Sequence, residues 1–318
     1  MIRRKWLSLC FALVLCLLLL PAAALAVDAT VYGTIEVGGV ALTNSESTPT
    51  VYAITNADTG VVTIEGANAE NYNIMWDGST LTLKNATIKE AEEYSDKTNE
   101  KIAVYRALGD LNLVLVGENT VDALGGGNAA SCGINLGKGS LTISGEDDAS
   151  LTVYGEPTEH GNSCGIYAYG TITINSGTVT VTGESASAAS YGICAGGAVT
   201  IEDGTVNATS GEAGGDSIGI YTSNSVTIKN GTVNTTGESA SAASYGICAG
   251  GAVTIEDGTV NATSGEAGGD SIGIYTSNSV TIKNGTVNTT GESASAASYG
   301  ICAGGAVTIE DGTVNATS

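Results

Sequence analysis

The chain has 318 residues, of which 33 are acidic and 11 are Lys or Arg, for a formal net charge of -22 at pH 7. Such a chain repels phosphate, which argues against nucleic acid or an anionic membrane as a partner. Apolar content is ordinary at 42%, but it is mostly Val, Ile and Ala, with 45 Gly, only 3 Pro and abundant Ser and Thr. That is a β-rich composition full of turns, not a disordered tail.

Arg3, Arg4 and Lys5 open the chain, an apolar run follows, and Ala24-Leu25-Ala26 offers a small-x-small cleavage site. Residues 1–26 therefore read as a secretory signal, with the mature chain starting near Val27. A transmembrane anchor is the rival reading, and Pro21 with the alanines after it favours cleavage. Cys10 and Cys16 each follow a leucine, which a lipoprotein signal would not have. Cleavage removes three basic residues and no acidic one, so the mature charge is about -25 (-22 minus 3). The expected location is extracellular, with no membrane insertion after cleavage. The mature chain keeps Cys132, Cys164, Cys194, Cys248 and Cys302, an odd number that leaves at least one unpaired.

Residues 27–78 do not repeat. "VYGTIEVGGVALTN" and "VVTIEG" read as strands of an N-terminal cap, which stacked repeats need for solubility. "STLTLKNATIKE", from Ser79, reads as a partial first coil, and residues 79–318 as a solenoid. Looser units start at Lys101, Ser131 and Ser163; from Gly183 the pattern becomes strict, and Gly183–Thr236 recurs letter for letter as Gly237–Thr290. This 54-residue period divides into two similar 27-residue units, Ser190–Asp216 and Ser217–Ala243. Each unit holds three short runs with period-two alternation, such as "SIGIY", "SVTIK" and "GTVNTT", separated by Gly, Asn and Asp. One such coil cannot bury its own apolar side, but a stack of coils can. The fold class is all-β: a parallel β-helix with three short strands and about 27 residues per coil. Some nine coils at roughly 4.8 Å per rung would make a rod on the order of 40 Å long.

The two-coil period has an electrostatic reason. Val199, Val226, Val253, Val280 and Val307 should form one inner column, and Ile201, Ile228, Ile255, Ile282 and Ile309 the next. Their outward neighbours, Glu202, Lys229, Glu256, Lys283 and Glu310, then alternate in sign along one outer column, where an all-Glu column would repel itself. Asp203, Asn230, Asp257, Asn284 and Asp311 fill an adjoining Asx-Gly turn column. Verbatim copies point to recent duplication and a variable copy number. The chain stops at Ser318, 21 residues into a coil, so a C-terminal cap or anchoring module is expected beyond it.

The run "NYNIMWDGSTLTLKNATI", "LNLVLVGENTV", "SCGIN…SLTISG…ASLTVYG" and "GIY…TITINSGTVTVTG" resembles a family of secreted bacterial carbohydrate-binding β-helix proteins, common in Gram-positive anaerobes. The likeness covers about Val31–Ser318. It implies a right-handed parallel β-helix shaped like that of pectate lyases, placed at the bacterial cell surface. It also implies binding of cellulose or polygalacturonate, with calcium in the structure. No binding motif of that family can be carried over residue by residue.

Catalysis is not expected. A lyase-type mechanism would want an Arg or Lys base beside calcium-binding carboxylates, and the mature chain has one arginine, Arg106, with Asp110 as a nearby carboxylate. A glycoside hydrolase needs two carboxylates across a cleft; Asp147 and Asp148 adjoin in a turn, and His160, the only histidine, reads as a loop residue. For binding, Tyr167, Tyr221 and Tyr275 stand in alternate coils, about 9.6 Å apart, near the length of a disaccharide. By strand parity they point outward and offer flat faces for sugar rings; the plainer reading packs them against the "ESASAA" and "EAGGD" loops. Tyr191, Tyr245 and Tyr299 have the parity of Ile and are expected in the core. Cys132 and Cys164 could form a disulfide across adjacent coils or stay a buried reduced pair, whereas Cys194, Cys248 and Cys302 are too far apart to pair with one another. Trp76 reads as a capping residue rather than a sugar platform. Glu212, Asp216, Glu266 and Asp270 offer oxygen ligands for calcium, or are simply solvated. Thr173, Thr200, Thr227, Thr254, Thr281 and Thr308 make an outer threonine ladder, poorly suited to ice because its neighbours are charged. Two functions follow: a non-catalytic polysaccharide binder, with calcium if the glycan is acidic, or a structural stalk or adhesin that presents a further module.

Overall fold

The computed structural model describes residues 33–89, 92–94, 100–124, 130–146, 148–239, 241–293 and 296–318. The leader and its cleavage site, together with Asp147, lie outside the described residues. Every regular element among the described residues is a strand. None is a helix long and apolar enough to cross a membrane.

The chain winds into a parallel β-helix of about eight coils. Each coil gives one strand to each of three sheets. The first sheet stacks Glu100–Arg106, Ser131–Leu136, Ser163–Ala168 and their successors through Ser298–Ala303. The second runs from Thr80–Lys84 to Val307–Ile309, and the third from Thr87–Ile88 to Thr313–Thr317. Register is regular: Val199 pairs with Val226 and Val253 with Val280, Ile201 with Ile228 and Ile255 with Ile282. These side chains, with Val206, Val233, Val260 and Val287 of the third sheet, are fully buried in one continuous core. Short β-branched residues suit this interior, because three sheets converge on a narrow space and stiff side chains lose little freedom there.

Between second and third sheets the chain turns at Asp203-Gly204, Asn230-Gly231, Asp257-Gly258 and their equivalents. The glycines have φ of 90°, 82° and 88°, which favours Gly. Asp203 and Asp257 Oδ1 each accept a bond from the following glycine N–H, at 2.7 Å.

The start of the stack is built differently. Thr34–Val37 pairs antiparallel with Glu100–Arg106, and Ile74–Trp76 antiparallel with Thr80–Lys84, so the first rungs of two sheets find partners of opposite direction. That occupies edge groups which would otherwise template further pairing.

One parity expectation fails, and the failure matters below. In Ser217–Thr222 a Cβ at Gly219 would lie 2.8 Å from Ala208 O and 3.0 Å from Thr235 Cβ of the third sheet, so Gly219 faces inward. Ile220, the next residue, is also part of the core. Two consecutive inward residues shift the alternation by one. Ile218 and Tyr221 therefore share the outer face, and so do Tyr191 and Cys194 one coil earlier.

Candidate functional site

The basic residue raised as a catalytic candidate is part of the closure of the stack. Arg106 lies in the inward column of Leu136 and is 8% exposed. Its guanidinium sits 4.7 Å above the Trp76 ring; Nε donates to Leu108 O and Nη2 to Gly78 O. Burial pushes its pKa down, with Asp110 and Asp77 pulling it back up. Asp110 Oδ1 accepts from the Ser140 N–H at 2.8 Å. Trp76 is fully buried and donates from Nε1 to Gly33 O, a capping role. His160 is exposed, 3.5 Å from Ser187 Oγ, and Asp148 lies in a turn.

Tyr167, Tyr221 and Tyr275 do fall in one column of alternate coils, with Cys194 and Cys248 between them and Cys302 after Tyr275. They do not form an open row. Tyr167 is 8% exposed, and Tyr221 and Tyr275 are half-buried. Tyr221 sets its ring 5.7 Å from that of Tyr191, and Tyr275 sets its ring 5.7 Å from that of Tyr245. These are tilted aromatic pairs on the outer face, made possible by the shift at Gly219. The core assignment of Tyr191, Tyr245 and Tyr299 is corrected by the same shift. Tyr191 and Tyr245 are buried outside the central core, and Tyr299, in the last coil, is 47% exposed.

Cys132 and Cys164 are partners in register on adjacent coils, and both are free thiols. Each Sγ donates to the carbonyl two residues on, Ile134 O and Ile166 O, at 3.1 Å. Burial pushes the Cys164 thiol well up, and Cys132 and Cys194 beside it add to that. Cys194 is a neighbour that spacing alone did not reveal.

The loop carboxylates are spread out. Glu212 and Glu266 are exposed; Asp216 Oδ1 accepts from the Ala243 N–H and Asp270 Oδ1 from the Ala297 N–H, both at 3.2 Å. Burial raises the pKa of Asp216, and its bond from Ala243 N–H opposes this. Among the described residues no group of three or more His, Cys, Asp or Glu is placed to hold a metal ion.

On the second sheet the threonine ladder stands in register and partly exposed, but each strand there, such as Val226–Ile228, is three residues long and presents one outward residue. The charge column beside it resolves into pairs. Lys229 Nζ meets Glu202 at 2.8 Å and Lys283 Nζ meets Glu256 at 2.9 Å, each lysine bonding the glutamate one coil before it.

The third sheet carries what sequence reasoning missed. Its longer strands present Thr205, Asn207 and Thr209, or Thr232, Asn234 and Thr236, outward and partly exposed, and each strand then carries an exposed glutamate, Glu212 or Glu238. The asparagines bond coil to coil. Asn234 Nδ2 donates to Asn207 Oδ1, Asn261 to Asn234, Asn288 to Asn261 and Asn315 to Asn288, at 2.7 to 2.8 Å. Asn207 continues the ladder to Thr180 Oγ1 at 3.2 Å. The signal was available: every "GTVN" places Asn two residues after a Thr with Val between, on the side away from the core. The result is an uncharged Thr–Asn–Thr stripe, ordered by its own hydrogen bonds, with a row of exposed glutamates beside it.

Three stretches, residues 172–196, 199–219 and 253–273, match the beta helix repeat family. No curated protein and no solved structure matches the chain. The repeat match and the stacked register agree on a parallel β-helix built of tandem repeats.

Proposed function

We propose that this β-helix repeat protein is exported, loses residues 1–26, and acts outside a bacterial cell as a non-catalytic polysaccharide-binding protein. The observation that supports this reading is the outer face of the third sheet. Coil after coil presents the same Thr–Asn–Thr trio at a fixed rise, a periodic polar surface suited to a periodic polar polymer. The lyase-type pair is otherwise engaged: Arg106 stacks on Trp76, and Asp110 accepts from the Ser140 N–H of the next coil. Calcium belongs to the proposal for acidic glycans only. With a mature charge of about -25 (-22 minus 3), the chain would need a cation to bridge its carboxylates to those of a polyanion.

A second reading, a stalk or adhesin that spaces a further module from the cell, is favoured by the verbatim repetition of 54 residues. A stalk needs only stacking, and identical coils stack equally well at any copy number. Retention of residues 27–318 on cellulose, polygalacturonate and mucin, each with calcium and with chelator, separates the two. Binding to any matrix supports the first reading; a folded sample retained on none would leave the stalk.

A further inference from the structure

We propose that the Thr–Asn–Thr face of the third sheet is a docking surface for an uncharged, extended polysaccharide lying along the stack. This rests on the polysaccharide-binding reading above and names its site and ligand charge. The other two sheets offer less. The outer face of the first is largely closed by Tyr, Ile and Cys side chains: Ile218, Ile272, Tyr191 and Cys194 are all buried. The second presents one threonine per coil beside charged residues. The third presents three aligned polar columns from Thr178–Ser185 through Thr313–Thr317.

Geometry sets the direction. Residues in one column repeat at roughly 4.8 Å, and columns two residues apart on a strand stand roughly 6.7 Å apart. Two rungs, about 9.6 Å, approach the disaccharide repeat of an extended glycan, so a chain along the columns would meet equivalent groups at every second coil. Each Thr hydroxyl both donates and accepts. Each laddered Asn keeps a second N–H and a second lone pair beyond those it spends on its neighbours. The ladder fixes these groups beforehand, which lowers the ordering cost of binding. In the outermost column, between Asp122 one coil before and Thr182 one coil after, stands Tyr154, 38% exposed, a flat aromatic face in line with the stripe.

Charge chooses among glycans. Glu184, Glu212, Glu238, Glu266 and Glu292, all exposed, border one side of the stripe. Asp203, Asp257 and Asp311 border the other. A polyanion over the outermost Thr column would lie roughly 6.7 Å from the glutamate row, within a Debye length of about 8 Å. An uncharged polyhydroxylated chain meets no such repulsion and finds donors and acceptors matched to its hydroxyls.

The test uses residues 27–318 with amorphous cellulose as the neutral probe and polygalacturonate as the acidic one. One variant carries Thr209→Lys, Thr236→Lys, Thr263→Lys and Thr290→Lys. Its control carries Thr200→Lys, Thr227→Lys and Thr254→Lys on the second sheet. Far-UV circular dichroism reports folding of both. The expected result is retention of wild type and control on the neutral probe without calcium, and affinity weaker by about tenfold or more for the third-sheet variant. If that variant does not fold, a soluble neutral glucan oligosaccharide titrated into wild type serves instead. It should shift the side-chain NH2 resonances of the Asn207–Asn288 ladder, and unmoved resonances with bound oligosaccharide would overturn the proposal. Undiminished retention of the folded third-sheet variant, or wild type held only by polygalacturonate with calcium, would sink this surface while leaving polysaccharide binding intact. Retention on neither probe overturns this surface, and retention on neither probe nor on mucin overturns both.

Discussion

The start of the stack and its repeated coils solve one problem, covering apolar sheet, by opposite means. Residues 33–124 use large, dissimilar side chains and antiparallel strands: Trp76 buried beneath Arg106, with Thr34–Val37 and Ile74–Trp76 laid across the first rungs. From Ser190 onward the coils use small side chains copied in register, with asparagine ladders, lysine–glutamate pairs and Val and Ile columns. The contrast predicts that a few side chains carry much of the stability in the first region, whereas many equivalent ones share it in the second. The difference follows from neighbours. An interior coil is covered by its own likeness above and below, whereas the first coil must be covered by something unlike itself.

The comparison can be broken most severely at the closure. Trp76→Ala should cost about 3–5 kcal/mol in urea unfolding, because a large cavity opens under a guanidinium that loses its ring. Ile228→Ala, inside the array, should cost somewhat less, about 2–4 kcal/mol. Its loss of amide hydrogen-exchange protection should centre on the adjoining coils rather than spread evenly through the stack. Asn261→Ala removes one ladder member and its bonds to Asn234 and Asn288, for about 1 kcal/mol. An effect as large as that of Trp76→Ala would show that the array too concentrates its stability.

Titration sharpens the picture further. The carboxyls of Asp216 and Glu156 are both raised, chiefly by burial, and that of Glu156 also by Asp122 and Glu184. Their folded forms hold a proton more tightly than the unfolded chain does. The stability this confers is fully present below their ordinary values of 3.8 and 4.5 and is lost as pH rises through the raised folded values. The contribution of these two groups to the melting temperature should therefore be greatest below their ordinary values of 3.8 and 4.5 and fall as pH rises toward neutrality, and Asp216→Asn with Glu156→Gln should flatten that slope. The smallest effect is expected at the surface. Lys229→Glu puts three carboxylates in succession, the new one standing between Glu202 and Glu256. It should lower the melting temperature slightly at low salt and not measurably in high salt.

Much of the architecture was legible in the sequence because it is periodic. A 27-residue unit with three alternating runs admits few packings, and the Val199 and Ile201 columns stand in the register that the spacing implies. The charge alternation was readable for the same reason, although each lysine bonds a single glutamate rather than linking two. The tyrosines were less legible. Strict alternation placed Tyr191 inside and Tyr221 in an open row, but the inward step shared by Gly219 and Ile220 put both on one outer face, ring against ring. Period two holds only while a strand stays regular, and nothing in "SIGIY" marks where it bends.

The sequence by itself determined the coil, its repeat and its core columns, because side chains one unit apart must meet when identical units stack. Only the tertiary structure decided which outer faces are free. Arg106 lies over Trp76, Cys194 lies beside Cys164, and the third sheet holds a bonded asparagine ladder. These neighbours come from different coils or different sheets. They depend on where the chain bends and on how three sheets converge, and local alternation carries neither.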